Sequence, residues 1–330
     1  MRIPPSYKIT SKIIELLTKI DANRIVLTSQ KIPEKLKEKI QRVSLLNSSL
    51  FSARIEGNPL TIEEVEHAKD QKRKAEVFNI IQASGFIDKK IKKDKKITKE
   101  IILKIHGLVM RDIGGGGAFR SEPSAIFNSS GVAVYMTPPP SEINKMLGEI
   151  LKYVNSDNEK FPLITALISH LVFEKIHPFI DGNGRVGRLL IFAVLSSRGY
   201  DFGLTVPFEK YLDEHKSEYY YHLDNGFKKT EDYLCFMLGS VYEESKNLLA
   251  QIEEEKSKEE DLYLLPPRQE EIVRIVRNHV FVSFDFLQRR FYEVPGRTLR
   301  YDLKKLQERR LLVKIGKTRG SFYKLEKGQF

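Results

Sequence analysis

The sequence predicts a mainly α-helical protein with one β-hairpin and a small C-terminal domain of three helices and two strands. Apolar residues recur at helical spacing ahead of residue 56, and two long apolar segments flank a short loop with two glycines at 177–184. A charged run followed by two prolines then separates residues 265–330 from the rest. Because single cores stop growing near about 250–300 residues, the 330-residue chain is expected to form more than one domain.

The composition is that of an ordered, water-soluble protein, with 41% apolar residues, 30% charged residues and a mean hydropathy of −0.34. A single cysteine, Cys235, excludes a disulfide within one chain. The N-terminal segment has no apolar run suited to a signal peptide, and no segment approaches the roughly 18 uncharged apolar residues of a membrane span. We therefore expect a cytoplasmic protein without membrane contact.

Residues 1–97 are predicted to form an N-terminal helical region. One helix in it carries an apolar stripe at spacings of three and four, composed of Leu36, Ile40, Val43, Leu46 and Leu50. This helix runs toward Glu56, and Gly57-Asn58-Pro59 is the expected stop signal. Thr61 with Glu64 then supplies a capping box for a second helix.

Residues 98–250 also read as mainly helical, with interruptions at the glycine run 114–117 and at Phe127 to Pro140. The second interruption is predicted to be a hairpin or flap. The segments Phe161 to Ile176 and Val186 to Ser197 are apolar enough to be buried helices, and they enclose the loop His177–Gly184.

The charged segment 251–264 is predicted to be a linker, and residues 265–330 a winged-helix domain. Three short helical patterns precede two strand patterns placed around Gly316, and the region holds 16 lysines and arginines against 7 aspartates and glutamates. The residues predicted to contact duplex DNA are Arg297, Arg300, Lys304, Lys317 and Arg319. An alternative is a charged surface used for dimerisation or for docking a target protein, and homodimerisation stays open.

The twelve residues from His177 to Arg188 contain a base, a carboxylate, an amide, two arginines and the flexible positions Gly182 and Gly184. Such a glycine-bearing turn before a helix lets main-chain N–H groups approach an anion. Arg185 and Arg188 share a face near the positive helix end, where cations are disfavoured unless an anion compensates. The alternative is an ordinary helix start with solvated arginines.

The string His177-Pro178-Phe179-Ile180-Asp181-Gly182-Asn183-Gly184-Arg185-Val186-Gly187-Arg188 resembles the motif of the Fic family at every fixed position. Four further features resemble that family: Gly117-Ala118-Phe119-Arg120, the three prolines at 138–140, His170, and Glu218-Tyr219-Tyr220. The resemblance extends from Pro4 to about Leu248. It implies a Fic-type helical bundle with a β-hairpin flap.

The resemblance also implies an activity, the transfer of AMP from ATP to a Ser, Thr or Tyr hydroxyl of a target protein. In that activity His177 is the general base and Asp181 holds Mg²⁺ on the phosphates. The residues implied to bind the nucleotide phosphates are Gly182, Asn183, Gly184, Arg185 and Arg188. Tyr219 and Tyr220 are implied to wall the adenine pocket, although aromatic residues on a helix are more often core.

Two further regions carry expectations from the resemblance. Ser52-Ala53-Arg54-Ile55-Glu56-Gly57 resembles the inhibitory motif of self-inhibited Fic proteins, which implies that Glu56 pairs with Arg188 where the γ-phosphate would bind. In the flap, Val132, Ala133, Val134 and Tyr135 have the β-prone composition of an edge that clamps a target segment. A solvent-facing glutamate and an ordinary surface hairpin are the respective alternatives.

Other functions remain open at this point. The same site could remove AMP from a modified protein, or the chain could be a DNA-binding regulator that senses nucleotide. A zinc site is disfavoured because there is one cysteine and no second histidine at ligand spacing from His177, so His170 is expected to be a core histidine. The target protein, the modified residue, the nucleotide preference and the oligomeric state are not readable from the sequence.

Overall fold

The structure is a computed structural model that describes residues 2–65, 67–68, 70–127, 133–263, 265–279, 281–316 and 322–326. The chain divides into two compact units, Met1–Leu249 and Ala250–Phe330. The predicted mainly α-helical class is confirmed: helices dominate both units. None of the helices in the described ranges combines the length and apolar content that a bilayer crossing requires.

The helices that begin in the first unit are α1 (Ser11–Ser29), α2 (Glu34–Ile55), α3 (Ile62–Val65), α4 (Gln71–Lys90), α5 (Lys99–Val109), α6 (Pro140–Val154), α7 (Pro162–Ile176), α8 (Asn183–Ser197), α9 (Phe208–Glu214), α10 (Lys216–Asn225) and α11 (Thr230–Tyr263). The last of these continues across the boundary between the units. Several begin at side-chain caps: Thr10, Asp70 and Thr98 each accept a hydrogen bond from an amide of the first turn.

Helix α7 is the centre of the first unit, because every residue from Leu163 to Ile176 is buried. No side of α7 is exposed to solvent, which explains why its sequence is apolar almost all round. Such a helix needs packing neighbours on every side. Helix α8 packs along it, α6 covers another side, and α4 and α5 pack on α8. The turn that joins α7 to α8 is therefore held between two fully packed helices.

Helix α2 differs in one respect from its predicted stripe. Leu36, Ile40 and Leu50 are buried as expected, but Val43 is 39% exposed. The buried face instead continues at every fourth residue through Ser44, Ser48 and Ser52. Small side chains there let α2 approach α8 and α9 closely. The buried side of α2 is therefore partly polar, and the spacing of apolar residues alone predicts its position incorrectly.

The predicted flap contains a two-stranded antiparallel hairpin, β1 (Ala125–Phe127) and β2 (Ala133–Met136). Ala125 pairs with Met136 and Ile126 with Tyr135, and the register shifts at Phe127. The base of the hairpin is closed by Thr137, whose amide and hydroxyl both donate to the Ser124 carbonyl. Val132 lies outside the described residues.

The second unit contains helices α12 (Pro267–Asn278), α13 (Phe284–Arg290) and α14 (Gly296–Glu308) with strands β3 (Val282–Ser283), β4 (Leu312–Ile315) and β5 (Phe322–Leu325). The strands form an antiparallel sheet in the order β3-β5-β4. A short apolar core that includes Ile272, Leu287, Leu303 and Tyr323 lies between helices and sheet. Strand β3 is an element that sequence patterns did not predict, since it is only two residues long.

Candidate active site

The turn between α7 and α8 is a tightly bonded loop. Helix α7 ends when His177 adopts the left-handed conformation (φ 50°, ψ 59°), and Gly182 enters α8 with φ 80°. Across the loop, the Asn183 side chain donates to the Phe179 carbonyl at 2.8 Å and accepts from the Phe179 amide at 2.9 Å. The loop therefore presents His177 and the start of α8 in a defined geometry.

His106 on α5 braces this loop from outside the motif. Its ring stacks on Phe179 with centroids 3.6 Å apart, and its Nε2–H donates to the Asp181 carbonyl at 3.1 Å. Its Nδ1 accepts from the Gly117 amide at 3.0 Å, which requires the neutral ring. Burial lowers the pKa of His106 and so favours that neutral form. Sequence reasoning missed this residue because no motif links α5 to the loop.

Helix α8 begins at Asn183, three residues before the apolar segment Val186 to Ser197 that predicted it, so Arg185 lies in its first turn and Arg188 in its second. Its N-cap residue, Gly182, has no side chain to cap this N-terminus. The first-turn amides and the positive end of the helix dipole therefore face the loop without an acceptor from the N-cap side chain.

Arg185 is only 4% exposed, although it carries a full positive charge. Its Nη2 donates to Asp181 Oδ1 at 3.1 Å and approaches the Met110 sulfur at 3.6 Å. Among the described residues, its Nε and Nη1 have no acceptor. A buried guanidinium with two idle donors is costly unless a bound anion accepts from them.

Arg188 is 1% exposed, and its Nε and Nη2 both donate to α2 and its C-cap residue. Its Nε donates to Ser52 Oγ at 2.9 Å, and its Nη2 donates to the Ser52 carbonyl at 2.7 Å. The same Nη2 donates to Glu56 Oε1 at 2.9 Å. The structure thus pairs Glu56 with Arg188, as the resemblance implied, and brings Ser52 of the same motif into the contact.

Gly184 is the position that lets Glu56 reach this contact. A Cβ atom on residue 184 would lie 2.1 Å from Glu56 Oε1 and 3.1 Å from Arg188 Nη1. Glu56 itself is the C-cap of α2, and its side chain is 35% exposed. The carboxylate therefore occupies the space beside the start of α8 from the solvent side.

His177 presents a largely buried imidazole beside this space. Burial lowers its pKa, and this effect outweighs the Glu174 carbonyl and the Glu56 carboxylate, which raise it. Its Nδ1 has no hydrogen-bond partner among the described residues. A neutral imidazole with an available ring nitrogen can accept a proton near neutral pH.

Three residues expected to contact the nucleotide make hydrogen bonds within the chain in this structure, and their nucleotide contacts stay predictions. The Asn183 amide is consumed by Phe179, so that side chain holds the loop and is not free for a phosphate. Tyr219 is 1% exposed and bonds His170 Nε2 at 2.9 Å, so it does not fit a wall for adenine in this arrangement. Tyr220 is 40% exposed, and its hydroxyl donates to the Ile55 carbonyl.

Two further buried polar side chains, His170 and Glu174, lie near Arg188. His170 is fully buried and bonded to Tyr219, as a core histidine would be, and Glu174 Oε1 lies 3.7 Å from His170 Nδ1. Desolvation, reinforced by Glu56, raises the pKa of Glu174 to about 8, which keeps it neutral at pH 7. Glu174 was not singled out from the sequence, because it stands inside an apolar run.

Comparison with known proteins places this geometry in context. Residues 96–195 match the sequence profile of the Fic/DOC family. A probable protein adenylyltransferase of Aquifex aeolicus is 27% identical over 56% of this chain and 58% of its own length. The protein adenylyltransferase Fic of Drosophila willistoni is 26% identical over 63% of this chain and 42% of its own. The chain therefore spans about half the length of these curated relatives.

Solved structures show the same fold. A Fic family protein from Desulfovibrio desulfuricans G20 superposes with a TM-score of 0.71 over 98% of both chains, at 23% identity. Fic-1 of C. elegans superposes with a TM-score of 0.62 over 73% of both chains, at 18% identity. The loop at 177–188, its helical frame and the profile match agree, and residues 96–195 of this chain are a Fic domain.

Proposed function

We propose that this chain is a protein adenylyltransferase that moves AMP from ATP to a Ser, Thr or Tyr hydroxyl of a target protein. The observation that supports it best is the buried Arg185, whose Nε and Nη1 lack acceptors at an uncapped helix start. A nucleotide phosphate supplies the missing acceptors and the missing negative charge. The names of the relatives, protein adenylyltransferases, support the same activity.

In the proposed reaction His177 accepts the proton of the target hydroxyl, whose oxygen attacks the α-phosphorus of ATP. The bond from that phosphorus to the bridging oxygen of the β-phosphate breaks, and pyrophosphate leaves with the bonding electrons. Arg185 and the first amides of α8 neutralise charge on the leaving phosphates. Such a reaction depends mainly on positioning and charge neutralisation, which a rigid turn between two buried helices provides.

Asp181 is the residue that would hold Mg²⁺. The described part of the chain has no cluster of three or more His, Cys, Asp or Glu side chains suited to a metal. Mg²⁺ in nucleotide sites needs only one or two carboxylates, since phosphates and water complete its coordination. Asp181 fits this role because its side chain is 65% exposed and its hydrogen bonds from Gly182 and Arg185 both go to Oδ1. The bound ion would offset phosphate charge.

Glu56 is proposed to restrain the reaction. While Ser52 and Glu56 accept from Nε and Nη2 of Arg188, those donors are not available to a γ-phosphate. The pair combines a fully buried arginine with a carboxylate near solvent, so removing the carboxylate frees a site that is already formed.

The test uses ATP labelled with ³²P at the α-phosphate. Glu56→Gly should increase label incorporation by about ten-fold or more, which corresponds to about 1.4 kcal/mol of relieved competition. Intact mass analysis should show an adduct of AMP mass. Adding His177→Ala to Glu56→Gly should abolish the label.

Glu38→Ala is the matched control, because Glu38 is an exposed glutamate on the same helix and lies about 27 Å along the helix axis from Glu56. It should leave labelling unchanged. Equal labelling in the wild type, Glu56→Gly and the double variant would contradict both the activity and the restraint. An adduct of phosphate mass would instead indicate kinase-like transfer.

The edge of the hairpin that contains Ala133, Val134 and Tyr135 is proposed to bind the target segment by main-chain pairing. In the described residues β2 pairs with β1 alone, so its other edge has main-chain groups for an added strand. Replacing Val134 by proline removes a main-chain N–H donor from β2 and should weaken modification of the target while leaving ATP binding unchanged.

The second unit is proposed to bind duplex DNA. Along α14 the residues Arg297, Arg300 and Lys304 are exposed, and the opposite face is buried through Leu299 and Leu303. Lys317 and Arg319, also predicted to contact DNA, lie outside the described residues. A basic face on the third helix suits a groove flanked by phosphates.

Fluorescence anisotropy with duplex DNA tests this proposal. Binding should weaken with salt, and reversing Arg300 and Lys304 to glutamate should reduce the slope of log K against log salt by about 2. Reversing Arg289 and Arg290 on α13 changes the net charge equally and serves as control. If both double variants bind alike, α14 is not the contact surface.

A further inference from the structure

Arg120 follows the glycine run 114–117 and is buried, with 4% of its surface exposed. Within the described part of the chain, every hydrogen bond of its guanidinium goes to a main-chain carbonyl oxygen. The acceptors are His177 (from Nε, 2.8 Å), Glu122 (from Nη1, 2.9 Å), and Pro138 and Ile176 (from Nη2, 2.5 and 3.4 Å). Burial of a cation without a carboxylate partner is costly, so its position must serve another purpose.

Half of these acceptors belong to the turn that carries the imidazole. The carbonyls of Ile176 and His177 accept from the guanidinium, and the Pro178 carbonyl accepts from the Arg120 amide at 2.9 Å. Arg120 therefore binds three consecutive carbonyls at the C-terminus of α7. This is where His177 takes a left-handed conformation, which a non-glycine residue keeps only under outside constraint.

The other acceptors belong to the base of the hairpin. Glu122 precedes β1 and Pro138 follows β2, so the two carbonyls stand on either side of the strand pair. A guanidinium is a rigid planar fork whose donors point in set directions. One such group bonded to both segments fixes the distance between the hairpin base and the backbone of His177.

We propose that Arg120 is a positioning residue that orients His177 and holds the hairpin in register with it, so that a target hydroxyl presented at β2 meets the imidazole. This inference rests on the proposed adenylyl transfer. It assigns Arg120 no contact with ATP. Its loss should therefore reduce turnover while nucleotide binding is retained.

Arg120→Gln and Arg120→Lys separate charge from shape, since lysine keeps the charge but lacks the fork. In the Glu56→Gly background both should lower kcat by about ten-fold or more, because a small displacement of a catalytic group reduces the reaction rate strongly. The KM for ATP should stay within about two-fold. Arg111→Gln is the matched control, because Arg111 is an exposed arginine whose guanidinium bonds only the side chain of Gln82 among the described residues. It should leave both constants unchanged.

An NMR titration of His177 tests the placement without any turnover. The positive charge of Arg120 lowers the pKa of His177. Arg120→Gln should therefore raise that pKa, whereas Arg120→Lys and Arg111→Gln should leave it near the wild-type value. The His177→Ala spectrum identifies the resonance among the seven histidines.

The outcomes are distinct. If Glu56→Gly incorporates no label, adenylyl transfer fails, and the titration alone decides whether Arg120 sets the environment of His177. An unchanged kcat in both Arg120 variants, an unchanged His177 pKa in Arg120→Gln, or a fall in ATP affinity that parallels the fall in kcat would overturn the proposal. Unfolding of both variants by circular dichroism would also overturn it, because it would make Arg120 a structural residue.

Discussion

In the proposed reaction, the protonation state of His177 controls when the site can accept a proton. Because burial lowers its pKa below the usual 6.5, the imidazole stays neutral at pH values where a solvent-exposed histidine is already half protonated. A base acts in its deprotonated form, so activity should be lost as the pH falls through the lowered pKa and not before.

For the Glu56→Gly variant we therefore expect log kcat/KM for AMP transfer to stay level as the pH is lowered to 6.5 and to decline only below it. Label incorporation measured from pH 5 to 8 provides the profile, a range of about three pH units around the histidine pKa. An acid limb with its midpoint at or above 6.5 would show that His177 is not the buried base described above.

Glu209 is a buried carboxyl that takes no part in the proposed reaction. It lies on α9, is 2% exposed and faces Ser48 of α2. Its carboxyl also interacts electrostatically with Arg188 and Glu244. Desolvation raises its pKa from 4.5 to about 8. Between those pH values the folded state keeps a proton that the unfolded state releases, so the free energy of unfolding falls as the pH rises.

Glu209→Gln removes this proton uptake. We expect the variant to be more stable than the wild type by more than about 1 kcal/mol at pH 8, and the gain to vanish below pH 4.5, where both states hold the proton. Thermal unfolding at the two pH values measures it, at about 2–4 °C per kcal/mol. Glu38→Gln, an exposed control on α2, should show no such difference. Equal shifts of Tm at both pH values would refute a buried neutral Glu209.

In helix α8, one residue type is explained by the side chains that pack against the helix. Gly187 lies in its interior, where glycine normally costs about 0.5–1 kcal/mol relative to alanine. A Cβ atom there would lie 2.0 Å from Glu174 Oε1 and 2.9 Å from His170 Nδ1. Glycine fits this position because α7 places two polar side chains against this turn.

Gly187→Ala should accordingly destabilise the protein by about 1–3 kcal/mol, the usual range for overpacking. Gly148→Ala on α6 is the control, since its Cβ would meet no atom within 4 Å, and it should stabilise by about 0.5–1 kcal/mol. Urea unfolding of both variants compares them. A stabilising Gly187→Ala would mean that Glu174 and His170 move aside at little cost.

Motifs and helical periodicity predicted several elements well. The stop at Gly57-Asn58-Pro59 follows an observed helix end, with Glu56 as C-cap, and the apolar run after Phe161 became the buried α7. Periodicity could not show that α2 buries serines in place of Val43, because small polar residues give no apolar signal. The partly polar face follows from the close approach to α8 and α9.

For the whole molecule, the second unit has a core of its own, which starts at Leu265 and contains no residue of the first unit. We expect a fragment of residues 1–263, which keeps α11 intact, to fold and, with Glu56→Gly, to incorporate label within about two-fold of the full chain. DNA binding should be absent from it. Fragment labelling and DNA anisotropy check both statements, and an insoluble or inactive fragment would contradict them.

The sequence alone singled out the residues of the turn and of the proposed restraint. The residues from His177 to Arg188 are contiguous, and Ser52 to Glu56 occupy successive turns of one helix, so their resemblance to two short family motifs was sufficient to find them. The tertiary structure decided what surrounds them. It placed His106, Arg120 and Glu174 against the turn, and it committed Asn183 and Tyr219 to internal hydrogen bonds. These contacts join residues from separate elements, and burial with hydrogen-bond satisfaction selects such partners only once the helices are packed.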